Sequence, residues 1–349
     1  MATNSTMKAA VVAGPKQFEI QDIPVPALEP GGVLVRVRSC GICGSDLHFY
    51  RGEFPSAPNM RLGHEFSGEI AAVGEGVTGL AEGQPVAIEP VEVCRDCDLC
   101  RTGRSQICPN RKLLGTVAPG ALAEFVHVPA YLAHPLPDSV DFEIGALVEP
   151  LAVAIHGLRL VNLTVGERVA ILGSGTIGLM VVVAARAMGA TSIFTTARHQ
   201  HQADAAMALG ATQVIQADEN AVAALTAAFA GRPHEVVVET VGGTADTISQ
   251  SIELVAAGGR VSILGIFTGA VTINATAAVL KEAQLVGSIT YGRPGPRSDF
   301  EVALEIAAAH ADDLRSLITH RVPLADVGAG FAIAADKSQK SIKVAVEVG

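Results

Sequence analysis

The sequence predicts an α/β protein in two parts, a β-rich antiparallel portion and a doubly wound parallel sheet. Three observations predict it. From Lys8 to about Pro150, short β-like runs are broken by Gly and Pro. From Val169 to about residue 290, short apolar strands alternate with helical stretches. Where that alternation begins, a glycine turn joins a strand directly to a helix. At 349 residues two domains are expected, and a composition 49% hydrophobic with 36 Gly supplies sizeable cores. The expected divisions are 1–152 for the β-rich domain, with a cysteine lobe at 91–110, and 153–290 for the parallel sheet. Residues 291–349, too few to stand alone, are expected to return to the first domain.

The elements follow in order. Residues 33–38 alternate as a half-buried strand, and residues 66–73 and 86–88 read as others. Around residues 143–160 the pattern turns helical. Residues 169–172 are a wholly apolar strand, followed by Gly173, Ser174, Gly175, Thr176, Ile177 and Gly178, then a helix closed by Gly189. Residues 192–196, 213–215, 235–238, 260–264 and 286–289 read as further strands with helices between. A helix over 299–310 and a closing strand over 342–348 complete the chain.

The glycine turn has a physical job. In G-x-G-x-x-G, one Gly makes the tight turn, one lets a pyrophosphate approach the backbone, and one lets helix and strand pack closely. The helix N-terminus then offers free N–H groups and positive dipole to phosphate. Gly74 to Gly79 fits the same pattern, but Gly83 and Pro85 follow and leave no room for a helix, so it reads as a plain turn. An NAD site wants Asp or Glu about twenty residues after the fingerprint, to hold the ribose 2′-hydroxyl. Here that place holds Ala197 and Arg198. With no carboxylate to repel a 2′-phosphate and a guanidinium to bind one, NADP(H) is the expected preference.

All six cysteines lie before residue 109. Cys94, Cys97, Cys100 and Cys108 follow C-x2-C-x2-C-x7-C, spacing that argues for metal in a chain with no secretion signal. Four thiolates close a tetrahedral structural zinc site. A four-iron cluster competes, but the ferredoxin pattern needs three residues before the last Cys where this chain has seven. The polar stretch over residues 1–7 carries no leader, so a cytoplasmic location is expected. The uncharged, largely apolar run 169–185 is 17 residues, short of the roughly 20 apolar residues of a membrane span. The net charge of −10 argues against nucleic acid.

Cys40 and Cys43 remain, with His64 and Glu65 as the next conspicuous donors. A catalytic zinc uses three protein ligands and keeps one position open. No cysteine follows Cys108, so the third ligand is a carboxylate, Glu65 or Glu149.

The segment Gly41 to His48, the run Gly63-His64-Glu65, the four-cysteine lobe, Val148-Glu149-Pro150-Leu151 and Gly173 to Gly178 occur in one order. Together they resemble the zinc-dependent medium-chain alcohol dehydrogenases, most closely the polyol (sorbitol-type) branch, from about Lys8 to the C-terminus. The resemblance implies a GroES-like catalytic domain in two sequence pieces around a Rossmann domain, with the active site in the cleft. It implies that Cys43, His64 and Glu65 bind zinc and that Glu149 contacts it directly or through water. Ser45 matches the proton-relay hydroxyl and His48 extends it. Leu264, Ile266 and Ile289 join the glycine turn, Ala197 and Arg198 at the cofactor, and residues 260–267 mark the edge of a homo-oligomer, a dimer or tetramer. Cys40 carries over no role, and a packed thiol is favoured over a redox partner of Cys43.

Two departures bear on substrate. Phe49 stands where sorbitol-type enzymes usually carry Tyr, and Thr290 precedes Tyr291 where they carry Arg, so the pocket loses polar groups that hydroxyl-rich substrates use. The expected activity is transfer of a hydride between a polyol or secondary alcohol and NADP(H). A threonine- or butanediol-dehydrogenase-like enzyme using NAD(H) is the nearest rival, and a non-catalytic nicotinamide-binding redox sensor the rival from another class.

Overall fold

A computed structural model of the chain describes residues 6–229 and 234–349, so the first five residues of the polar start lie outside it. The chain forms two compact units, one made of the segment up to Glu149 with Ala307–Gly349, the other of Pro150–Ile306.

The first unit is built on the strand Gly32–Gly41. Its alternation is the expected one: Val33, Val35 and Val37 are fully buried while Arg36 is exposed. It anchors a sheet ordered Ile318–Pro323, Lys343–Glu347, Gly32–Gly41, Glu65–Val73, Pro85–Ile88 and Ala133–Pro135, with Phe125–Pro129 also paired to it. Phe66, Ile70, Val86, Ile88, Phe331, Val344 and Val346 fill the core beneath. The expectation of a purely antiparallel domain needs one correction. Ile318–Pro323 runs parallel to Lys343–Glu347, and a parallel neighbour needs a crossover, which the helix Val327–Ala335 provides. The closing strand does return to the first unit, with Ala345 opposite Gly41.

In the second unit six parallel strands run across the sheet in the order Gln213–Gln216, Ser192–Ala197, Arg168–Leu172, His234–Glu239, Val255–Ile263 and Gln284–Gly287. Strand order reverses beside Arg168–Leu172, the topological switch point where such sheets bind ligands. The first helix, Thr176–Ala187, is buried from Gly178 to Ala185, which explains its unbroken apolar text. The second unit extends past the expected return at 291. Asp299, fully buried, lies 2.7 Å from His156 Nδ1 and accepts from Arg159 Nη1 at 2.8 Å and the Gly292 N–H at 2.9 Å. That cluster ties the start of the helix Asp299–Ala309 to the helix Val148–Leu160. The Gly74–Gly79 stretch forms no helix, as its glycines and Pro85 require.

His234, at the start of its strand, is buried against Phe194 and Phe229 with neither ring nitrogen hydrogen-bonded. Burial, with Arg168 adding to it, pulls its pKa down to about 4. A folded-state pKa below the unfolded value means stability is intact above about 6.5 and is lost as pH falls toward 4. We expect His234→Phe to remove roughly 2 kcal/mol of destabilisation near pH 5 and to change little at pH 8, read from denaturant midpoints. Equal pH profiles for variant and parent would contradict this.

Candidate functional site

The antiparallel register of two strands creates the first cluster. Gly41 pairs with Glu65, so the residues just after one strand meet those at the start of the other. Cys43, His64 and Glu65 thereby each bring one donor atom within 4.8 Å of the others. Cys43 caps the helix Gly44–Arg51, and its backbone N–H donates to Asp46 Oδ2 at 3.0 Å. Asp46 Oδ1 lies 3.4 Å from His64 Nδ1, which leaves Nε2 on the opposite side of the ring, 3.5 Å from Ser45 Oγ. Glu65 is buried with Oε2 bound by the ammonium of Lys343 and Oε1 without a partner. One sulfur, one imidazole and one orphaned carboxylate oxygen, converging and mostly buried, fit a zinc ion with an open position.

Around this cluster lie the other expected residues. Burial pushes the carboxyl of Glu149 up to about 7, with His64 opposing and Glu65 reinforcing the shift. Glu149 is not among the three groups that converge most closely. His48 Nδ1 contacts Glu53, and its ring stacks on Phe54 with centroids 4.8 Å apart. Phe49 packs edge-on against Phe54. Cys40 is fully buried, its thiol facing the Gly41 carbonyl and raised in pKa by that burial, as a packed thiol should be.

The second cluster is the lobe. The sulfurs of Cys94 and Cys100, and of Cys97 and Cys108, lie 3.9 Å apart, and those of Cys108 and Cys94 3.5 Å apart. A tetrahedron with Zn–S bonds of about 2.3 Å has edges of about 3.8 Å, whereas a disulfide spans about 2.05 Å. The amides of Asp96 and Cys97 pull the Cys94 thiol down to about 6, while desolvation and the neighbouring sulfurs push Cys100 up to about 12. Four thiols this close cannot all ionise alone, and a dication resolves the conflict.

In the second unit the glycine turn sits at the carboxyl end of Arg168–Leu172. A Cβ on Gly178 would lie 1.9 Å from the Gly173 carbonyl oxygen, so helix and strand pack only because that side chain is missing. A Cβ on Gly175 would meet nothing within 4 Å, which leaves the helix N-terminus open to a phosphate. Ser174 is turned inward, its hydroxyl bonding the Thr196 carbonyl and Thr195 hydroxyl at 2.9 Å. Thr176 and Ile177 open the helix. Ala197 is buried at the end of the next strand and Arg198 is exposed just beyond it, its guanidinium unengaged among the described residues. Ile266 and Ile289 stand exposed past the ends of their strands, whereas the Leu264 side chain is turned onto Gly157.

The comparisons decide the family. Residues 29–138 match the alcohol dehydrogenase GroES-like domain and residues 176–309 the zinc-binding dehydrogenase family. A sorbitol dehydrogenase of Bombyx mori is 33% identical over 97% of this chain and 98% of its own length. The chain belongs to the zinc-dependent medium-chain alcohol dehydrogenases, in their polyol branch. A zinc-binding dehydrogenase of Sinorhizobium meliloti, solved bound to NADP, is 32% identical with a TM-score of 0.88, covering 98% of this chain and 99% of that one. A 2R,3R-butanediol dehydrogenase of Bacillus subtilis is 32% identical with a TM-score of 0.86 over 98% and 99% of the two chains.

As a member of that family the chain is an oxidoreductase, and the two units are its GroES-like and Rossmann-like domains. No helix among the described residues is long and apolar enough to cross a membrane. Sequence reasoning missed two residues of the dehydrogenase's first cluster. Asp46 lies within the segment Gly41 to His48, and its spacing three residues after a helix-capping Cys43 is the available signal. Lys343 left a fainter one, a lone cation at the head of a strand whose next three residues are apolar.

Proposed function

We propose that this dehydrogenase oxidises a secondary alcohol or polyol, and reduces the matching ketone, with NADP(H) in preference to NAD(H). Cys43, His64 and Glu65 hold a catalytic zinc, and Cys94, Cys97, Cys100 and Cys108 a structural one. The single observation that carries the catalytic assignment is the convergence of three unlike donors, one each from Cys43, His64 and Glu65, within 4.8 Å of one another. When bound, the zinc supplies Lewis-acid polarisation of the substrate oxygen. The protein's own groups do the rest. The Asp46 carboxylate, 3.4 Å from His64 Nδ1, favours a proton on that nitrogen and so leaves Nε2 as the donor to metal. Ser45 Oγ accepts the proton of the substrate hydroxyl while its own proton moves on toward His48, which, partly exposed and held by Glu53, releases it to solvent. Glu149, buried and electrostatically coupled to His64 and Glu65, would take a water at the site or the metal itself.

The glycine turn would hold the pyrophosphate of such a cofactor, Arg198 beside Ala197 would supply a cation for a 2′-phosphate, and Ile266 and Ile289 would offer it apolar contact. Support for NADP(H) is the free guanidinium of Arg198 and the absence of a carboxylate at that strand end. Titrating intrinsic or nucleotide fluorescence tests it without a known substrate. NADPH is expected to bind at least tenfold tighter than NADH, about 1.4 kcal/mol, and Arg198→Ala to erase that ratio. Equal binding by the unaltered protein would reverse the cofactor assignment and leave the metal chemistry standing.

A second reading within the class has its own support. Phe49 is committed to Phe54 and offers no hydroxyl, and Thr290 replaces a cation, so a vicinal diol of butanediol type fits as well as a hexitol. Comparing kcat/KM for sorbitol and 2,3-butanediol separates the two. Self-association is supported by Val279 and Leu280, which are 73% and 79% exposed beside the open edge strand Gln284–Gly287. Light scattering that gave a monomer mass would remove that part of the proposal.

A further inference from the structure

Lys343 is buried within a strand whose neighbours are Val344, Ala345 and Val346. An ammonium buried there is costly unless something specific uses its charge. Its side chain is 2% exposed, and Glu65, its partner, is 1% exposed. Nζ binds Glu65 Oε2 and donates to the Ile42 carbonyl at 3.1 Å. The backbone makes room for this pair. A Cβ on Gly41 would lie 2.3 Å from Glu65 Oε2 and 3.4 Å from Lys343 Cδ, so the strand between the two charges carries no side chain. The ammonium therefore occupies one carboxylate oxygen, while Oε1, buried and unpartnered, is the one left over.

We propose that Lys343 is a positioning residue that claims one oxygen of Glu65, so that Glu65 meets the catalytic metal through Oε1 alone and as a releasable ligand. The inference rests on the reading of Cys43, His64 and Glu65 as metal ligands. An ammonium and a metal dication compete for the same carboxylate charge, and they repel each other across it. Removing the ammonium gives the whole carboxylate to the metal and tightens its hold. A lysine that merely propped up the fold would act in the opposite sense, since its loss would loosen the site and release metal sooner. The direction of the change separates the two roles.

The test uses zinc-loaded full-length protein and measures zinc per chain after equilibration with graded chelator. A Cys43→Ser chain, left with the lobe zinc alone, calibrates the midpoint of that metal. Lys343→Met is expected to keep the catalytic-site zinc to at least tenfold higher chelator than the parent, and Lys343→Arg to match the parent. If Lys343→Met does not fold, Lys343→Gln takes its place with the same expected direction. Loss of that zinc at equal or lower chelator in a folded variant would overturn the proposal. A parent protein that carries only the lobe zinc before any chelation would overturn the ligand reading itself, and this proposal with it.

Discussion

Replacing His64 with Ala lowers turnover at least about 10³-fold, a loss of about 4 kcal/mol in transition-state stabilisation. The size follows from what the side chain does. His64 is buried, it is the only imidazole of the three-donor cluster, and Asp46 Oδ1 lies 3.4 Å from its Nδ1 on the far side of the ring. Removing it leaves a thiol and a carboxylate that is already shared with Lys343, too few donors for a three-ligand zinc site. The fold should survive, because the strand Glu65–Val73 keeps its pairing with Gly32–Gly41 whether or not the ring is present. NADPH affinity within about twofold of the parent would show that the nucleotide unit is undamaged. Near-normal kcat in a His64→Ala protein would remove this residue from the metal site.

The second large effect is on stability. Between residues 91 and 110 only Val91, Gln106 and Cys108 are buried, so the lobe has almost no apolar core. What holds it is the four-sulfur cluster and a few turns, such as the Cys97 N–H directed at Cys94 Sγ at 3.4 Å. Metal binding supplies the folding free energy that burial does not. Cys97→Ser is expected to cost one zinc per chain, to lower Tm by about 5 °C or more, and to open the lobe to protease at Arg101 or Arg104. An unchanged Tm and digestion pattern would mean that the lobe stands on its own contacts.

Much of this was legible in the chain because the signals were local. The glycine turn, the strand before it and the helix after it are contiguous, and the cysteine spacing is a property of the fifteen residues from Cys94 to Cys108. Residues 33–38 declared their buried face through strict alternation, and the structure keeps it. What failed to show was set by partners distant in sequence. The strand Ile318–Pro323 exposes half its residues and exists because Lys343–Glu347 lies beside it, a parallel pairing that no alternation announces. Glu65 and Lys343 are brought together by the register of three strands drawn from both ends of the chain. The contact of His48 with Glu53 needed the left-handed turn at Gly52, which folds the chain back over the helix end. Leu264 shows the same limit from the other side. Its place in the chain suggested the cofactor, but its side chain packs on Gly157 of a helix about a hundred residues earlier.

The proposed chemistry depends on Cys43, His64 and Glu65 holding a catalytic zinc separate from the lobe. Elemental analysis of the purified, unaltered protein tests it most directly. Two zinc ions per chain are expected, falling to one in Cys43→Ser with the lobe metal retained. A single zinc in the unaltered protein, left in place by Cys43→Ser and removed by Cys97→Ser, would contradict it.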